Sequence, residues 1–160
     1  MAAVRRVLIV GGGIAGMTLA TALKRGGIAA EIVELTPSWS VLGVGISVQG
    51  ATLRALKKIG VLERCVREGF GYSGLVVCDG DGKITATVNL PSLLGEGYPE
   101  CVGIMRPALQ HILRDALAEA KVPVRLGVTV RGLTQHDDRV DVALSDGRST
   151  VSISWSARMG

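Results

Sequence analysis

Apolar positions at the start of the chain first run together and then spread to helical spacing. Val4 to Val10 is apolar apart from Arg5 and Arg6. Gly11-Gly12-Gly13-Ile14-Ala15-Gly16 follows at once, and Ile14, Met17, Ala20 and Leu23 then recur at three-residue intervals as far as Gly26-Gly27. The run reads as a buried strand, the glycines as a tight turn, the recurrence as the apolar face of a helix, and the paired glycines as its stop. Ala29 to Leu35 is a second apolar run, so the chain up to this point predicts a βαβ unit with a right-handed crossover.

Beyond it the pattern alternates. Leu53, Leu56 and Ile59, then Leu62 and Val66, predict two short helices broken at Gly60. Gly74 to Cys78 and Ile84 to Val88 flank Asp79-Gly80-Asp81-Gly82, which predicts a β-hairpin within a β-rich stretch from Tyr72 to Val88. That turn carries calcium-loop letters, but the closing glutamate is missing, with Leu90 in its place, so it reads as a turn only. Pro91 to Pro99 reads as a loop. Pro107 suits a first helical turn, and Leu109, Leu113 and Leu117 give that helix its stripe as far as about Ala120. Val122 to Leu126 predicts a third parallel strand. Val128 to Leu133 and Val140 to Leu144 form an antiparallel excursion around a turn at 136–138. His111 and His136 read as ordinary helix and turn residues with no partner constellation.

Composition narrows the class. The 160 residues are enough for one globular domain and too few for two complete ones, and with 48% apolar residues disorder is excluded for most of the chain. Only five residues are aromatic (Trp39, Phe70, Tyr72, Tyr98, Trp155), so the core must be aliphatic, as in parallel α/β sheets. The net charge of +4 comes from scattered single and paired basic residues without interleaved aromatics, which argues against a nucleic-acid groove. Cys65, Cys78 and Cys101 cannot all pair and none lies in a Cys-x-x-Cys spacing; they read as reduced thiols of a cytoplasmic protein, and no metal site is suggested. Arg5-Arg6 and the apolar run after them imitate a targeting signal or a membrane span. The glycines cut that run in the middle and charge resumes at Lys24, so neither is expected.

The chemistry-bearing signal is Gly11-x-Gly13-x-x-Gly16 between a strand and a helix, with Glu34 ending the next strand. Gly11 permits the turn, Gly13 lets backbone approach a pyrophosphate, and Gly16 lets helix and strand pack closely. The helix N-terminus favours the phosphate charge. Glu34 would accept hydrogen bonds from a ribose hydroxyl pair and repel a 2′-phosphate, so the pattern predicts an unphosphorylated dinucleotide and leaves FAD against NAD open.

Gly43-Val44-Gly45-Ile46 leading into Leu53-Arg54-Ala55-Leu56, and Ile104-Met105-Arg106 followed by Leu109-Gln110 and Leu113, add two further motifs. In order and spacing, the three together resemble the FAD-dependent aromatic hydroxylases, the single-component flavoprotein monooxygenases typified by p-hydroxybenzoate and salicylate hydroxylases. The likeness extends to about the Asp146-Gly147 turn. It implies an α/β, doubly wound FAD/NAD(P)-binding Rossmann-like fold with an antiparallel β excursion and its C-terminal part missing. Residues 1–70 and 101–160 would be a discontinuous, incomplete FAD-binding domain, and 71–100 the first segment of a substrate domain.

The resemblance also implies that Gly11, Gly13 and Gly16, with Ile14 and Ala15 of the same turn, hold the FAD pyrophosphate, and that Glu34 holds the adenosine ribose. Gly43, Gly45 and Ile46 would line the isoalloxazine side, Arg106 would contact the phosphate and ribityl region, and Gln110 would reach the ribityl chain. Taken alone, Gly43 to Ile46 reads as a β-turn and Arg106 as an ordinary helix start. Leu35 and Ala51 stand where the family often has a basic residue and an asparagine. The implied reaction reduces FAD with a transiently bound NAD(P)H and uses O₂ to hydroxylate an aromatic or similarly electron-rich small molecule, the cofactor carrying most of the chemistry. No residue is identified as a catalytic acid or base, and neither the choice of NADH or NADPH nor the oligomeric state is legible. Two rivals remain: another FAD- or NAD-dependent oxidoreductase on the same fold, and a non-catalytic nucleotide-binding remnant.

The tail Val151-Ser-Ile-Ser-Trp-Ser-Ala-Arg-Met-Gly160 is unlike the family's continuation. Joining the last base of each codon to the first two of the next permits Leu-Asp-Leu-Val-Val-Gly-Ala-Asp-Gly, the strand the family carries there. The unique Trp155 and Met159 codons supply a valine and a glycine where the strand needs them. A frameshift between about Gly147 and Val151 is therefore expected, and the chain as it stands is not expected to turn over. The family strand would lie beside Val7 to Val10. Its shifted form alternates serine with Val151, Ile153 and Trp155, and would turn serines into a buried layer and weaken that edge.

Overall fold

The computed structural model describes residues 4–39, 43–137, 139–152 and 154–157. They fall into two units, Met1–Val41 with Leu113–Gly160, and Leu42–Ile112.

In the first unit the predicted βαβ arrangement is present. Strand β1 (Arg6–Val10) leads through the glycine turn into helix α1 (Ile14–Arg25) and on to β2 (Ala29–Glu34). The two strands pair in parallel, Leu8 opposite Glu31 and Val10 opposite Val33. Met17, Ala20 and Thr21 bury one face of α1, and the Thr21 hydroxyl donates to the Met17 carbonyl at 2.9 Å, satisfying a polar group inside the layer. Lys24 and Arg25 sit in the last turn, where the helix dipole favours cations. Gly26 caps the helix and Gly27, at φ +81°, reverses the chain.

The parallel sheet has two further strands, β8 (Val124–Leu126) beside β2 and β12 (Ser154–Ala157) beside β1, in the order β12-β1-β2-β8. The expected third parallel strand is thus confirmed, and the backbone of residues 154–157 occupies the place expected of the family strand, Val7 opposite Ser154 and Val10 opposite Ala157. The edge of β1 is paired rather than open. The side chains of the tail, whose burial the sequence called into question, lie outside the described residues.

A three-stranded antiparallel sheet, β11-β10-β9, is built from β9 (Val130–Gln135), β10 (Val140–Leu144) and β11 (Ser149–Ser152). Val140, Val142 and Leu144 turn one face of it onto Leu8, Val33 and Val128, making an aliphatic core. An ion network stitches the strands of the parallel sheet. Buried Glu31 accepts from Arg6 Nη2 at 2.9 Å and Arg125 Nε at 2.6 Å, and Arg125 also reaches Asp146 at 3.6 Å. His136, expected to have no partner, does have one: its Nε2 lies 2.7 Å from Asp141 Oδ2, which the hairpin of β9 and β10 brings within reach and which Arg139 shares.

In the second unit, α2 (Ala51–Lys58) and α3 (Leu62–Glu68) are the two predicted short helices, parted at Gly60 with φ +72°. The hairpin of β5 (Gly74–Cys78) and β6 (Ile84–Asn89) is also present. Asp79 Oδ1 accepts the N–H groups of Asp81 and Lys83 at 3.1 and 2.9 Å, so that carboxylate holds its own turn. The sequence reading missed a second antiparallel sheet, β3-β7-β4. It consists of β3 (Gly45–Gln49), β7 (Cys101–Met105) and β4 (Phe70–Tyr72), Ser47 and Phe70 both standing opposite Gly103. Gly43 to Ile46 is therefore not a turn but the entry into a strand. Val48, Val102 and Ile104 are buried, as are Leu53, Leu56, Leu62 and Cys65 of the two helices. Helix α4 (Arg106–Glu119) begins in this unit and from Leu113 onward belongs to the first; it carries the predicted leucine stripe, with Leu109, Leu113 and Leu117 buried.

Candidate functional site

The turn between β1 and α1 holds its shape through its glycines. Gly11 adopts φ +106°, open to glycine and strained for other residues, and its N–H donates to the Val33 carbonyl at 2.8 Å. A β-carbon on Gly16 would collide with the Gly11 carbonyl oxygen, so helix and turn meet at a distance only glycine permits. Gly13 is different: its backbone is extended at φ −72°, ψ 178°, and a β-carbon there would meet nothing within 4 Å. The mouth of α1 is thus an open, side-chain-free cradle. A helix leaves its first N–H groups, here around Ile14 and Ala15, without intrahelical partners. No side chain caps this helix and no acidic residue sits in its first turn. The donors and the positive end of the dipole suit a phosphate group.

Glu34 is brought to the same turn. Its Oε2 accepts the Gly12 N–H at 2.7 Å and its Oε1 accepts the Thr36 N–H at 2.8 Å. Burial raises the carboxyl pKa, but the backbone N–H groups of Thr36 and Gly12 outweigh it and hold the group below its ordinary value. The Thr36 hydroxyl and the Leu35 N–H add to these bonds, so the carboxylate is held as a charged acceptor beside the turn.

Trp39, which no sequence signal marked, lies on this turn too. A β-carbon on Gly12 would fall 2.9 Å from Trp39 Cζ3, 3.1 Å from Cη2 and 3.4 Å from Glu34 Cβ. The Arg114 guanidinium stands over the indole, 5.3 Å from its centroid.

The remaining predicted residues belong to the second unit. Gly43 faces the start of α4: a β-carbon on it would lie 2.7 Å from Pro107 Cδ and 2.8 Å from Cγ. The Arg106 N–H donates to the Val44 carbonyl at 3.3 Å, tying the start of α4 to the approach to β3. Arg106 is exposed, and Gln110 follows one helical turn later on the same side. Gly45 and Ile46 line an open cleft of about 470 Å³ whose wall includes Gly69, Phe70, Gly103 and Met105. Gly45 and Gly103 bring no side chain to that wall. Among the described residues no group of His, Cys, Asp and Glu is placed to hold a metal ion, and no helix is long and apolar enough to cross a membrane.

Comparison with known proteins gives the family. Residues 5–158 match the family model described as FAD binding domain. The chain is 32% identical over 142 residues to the aurachin C monooxygenase/isomerase of Stigmatella aurantiaca, which covers 89% of this chain and 37% of that protein. It is 33% identical over 141 residues to a 2-heptyl-3-hydroxy-4(1H)-quinolone synthase of Pseudomonas aeruginosa, covering 88% of this chain and 36% of that one. Its fold matches the crystal structure of the p-nitrophenol 4-monooxygenase PnpA from Pseudomonas putida DLL-E4 with a TM-score of 0.83, over 100% of this chain and 42% of that chain at 21% identity. The chain therefore spans between 36% and 42% of the length of these relatives.

Proposed function

The chain belongs to the family of FAD-binding domains, and from that premise we propose that it is the FAD-binding N-terminal part of a flavin-dependent monooxygenase. The whole enzyme would use NAD(P)H and O₂ to hydroxylate an aromatic or similarly electron-rich small molecule, in the reducing cytoplasm. Two relatives named for monooxygenase or quinolone chemistry support the substrate class. The proposed division is the one expected above, residues 1–70 and 101–160 for the cofactor and 71–100 for the start of a substrate domain.

The observation that carries the cofactor assignment is the pairing of an open Gly13 cradle with a Glu34 carboxylate oriented by Gly12. Gly13, Ile14, Ala15 and Gly16 would hold the pyrophosphate through backbone N–H groups, and Gly11, whose own N–H is taken by the Val33 carbonyl, would shape the turn around it. Glu34 would accept the adenosine ribose hydroxyls, and its charge, kept by a lowered pKa, disfavours a 2′-phosphate. Gly43, Gly45 and Ile46 would face the flavin ring, while Arg106 and Gln110 would reach the phosphate and ribityl chain. Bound FAD would supply hydride acceptance from a transient NAD(P)H and the activation of O₂. The protein's part is to bind, orient and exclude water; no side chain of this chain is assigned a proton-transfer role.

The test is titration of the purified chain with FAD, FMN and NADP⁺, followed by flavin fluorescence and calorimetry. Saturable FAD binding that is at least tenfold tighter than binding of either control, and that Gly13→Ala weakens, is expected on this reading. Absence of FAD binding, or a preference for NADP⁺, would overturn it.

A further inference from the structure

We propose that Trp39 is a positioning residue of the dinucleotide site: its indole, with Arg114 stacked over it, backs Gly12 and thereby holds the Gly12 N–H on the Glu34 carboxylate. This rests on the reading of Gly11 to Gly16 and Glu34 as that site. Three consecutive glycines, Gly11, Gly12 and Gly13, form the turn, and such a segment has large conformational freedom to lose on ordering. Gly11 is anchored by its own bond to Val33. Gly12 is anchored through Glu34, and this 2.7 Å bond joins residues 22 apart in sequence, whereas the bond to Thr36 on the other carboxylate oxygen is local.

The geometry points to Trp39 as what steadies that longer bond. The indole edge fills the volume in which a side chain on Gly12 would lie, and Glu34 Cβ borders the same volume. A rigid ring pressed on the middle glycine limits the turn to conformations in which its N–H meets the carboxylate. Arg114, within cation–π range of the ring, holds the indole from α4, and together they line a hollow of about 280 Å³ with Leu117, Val122 and Val124. The same packing explains why the middle residue of the turn is glycine, for which the phosphate cradle itself gives no reason.

The experiment is a double-mutant cycle on the full chain, reading affinity for ADP and FAD by calorimetry and foldedness by far-UV circular dichroism. Trp39→Ala weakens ADP and FAD binding by about tenfold, the scale of one charge-assisted hydrogen bond losing its geometry, while Trp39→Phe stays within about threefold. Gly12→Ala costs about tenfold with Trp39 present and under about twofold in the Trp39→Ala background, because the methyl then has room. Trp39→Ala also moves the acid limb of ADP binding upward, a change that loss of packing alone does not produce. Should Trp39→Ala fail to fold, Arg114→Gln, which removes only the stacked cation, carries the test, with an expected loss of about threefold. Affinity unchanged in Trp39→Ala or in Arg114→Gln, or Gly12 and Trp39 penalties that multiply independently, would overturn the proposal. If the unaltered chain binds neither ADP nor FAD, or Gly13→Ala binds like it, the dinucleotide reading itself has failed. If those two hold and the Trp39 series is flat, only this inference has.

Discussion

Alanine at Gly16 and alanine at Gly13 separate folding from binding, because the two positions are glycine for different reasons. At Gly16 the added carbon would collide with the Gly11 carbonyl oxygen and lie 3.3 Å from both Gly11 C and Ile9 Cγ2. The obstacle is backbone, pinned by the Gly11 bond to Val33, and cannot swing aside as a side-chain tip does. Overpacking costs about 1–3 kcal/mol, and a backbone collision places Gly16→Ala at the upper end, about 3 kcal/mol. For a chain of this size each kcal/mol moves Tm by about 2–4 °C, so Tm falls by about 6–12 °C. Gly13 has an extended φ and open space around its missing side chain, so Gly13→Ala changes stability by under about 1 kcal/mol, or Tm by less than about 4 °C. Its methyl stands instead where a phosphate would meet the helix N-terminus. FAD affinity falls by about 10–100-fold, the loss of one or two hydrogen bonds to a charged group. Thermal melts without ligand and FAD titrations on both variants read the two effects separately. A Gly16→Ala protein that melts like the parent, or a Gly13→Ala protein that binds FAD like the parent, refutes the division of labour.

Three more outcomes follow from the same geometry. Because hydrogen bonds hold the Glu34 pKa below its ordinary value, the stability it contributes is present above the unfolded carboxyl pKa and is lost as pH falls through the lowered one. Dinucleotide affinity should drop over that acid window, and Glu34→Gln should weaken binding and flatten the drop in a pH series. Glu31→Ala leaves Arg6 and Arg125 facing a vacated pocket in the parallel sheet; since both arginines retain solvent contact, the cost should be about 2 kcal/mol, below the value for fully buried pairs. Urea denaturation at low and high salt checks this, and an unchanged midpoint would show the pair to be inert. Burial first, and the nearby Glu68 carboxylate next, push the Cys65 thiol up to about 11, and Cys101 is also buried, whereas Cys78 is exposed. Brief iodoacetamide labelling of the native protein at pH 8 should therefore modify Cys78 alone by peptide mass spectrometry, and rapid labelling of Cys65 would contradict the packing of α3.

The β1–turn–α1–β2 unit, the α2/α3 break at Gly60, the β5–β6 hairpin and the leucine stripe of α4 were legible in the sequence, because each is dictated by residues within a few positions of one another. Periodicity set the elements, and the chemistry of glycine set the turns. Gly11, Gly13, Gly16 and Glu34 were likewise legible as a group, since a strand end, a turn and a helix start must lie close together in any βαβ unit. What the tertiary structure decided is what depends on partners far along the chain. Gly45 to Gln49, read alone, has too little pattern to declare a strand, and only β7, arriving more than fifty residues later with Gly103 opposite Ser47, makes it one. Trp39 looked like any loop aromatic until the fold set it on Gly12. The physical reason is common to both: side-chain period is a property of a segment, while strand pairing, close packing and hydrogen-bond satisfaction belong to the segments that meet, and a sequence read locally does not say which of its segments those are.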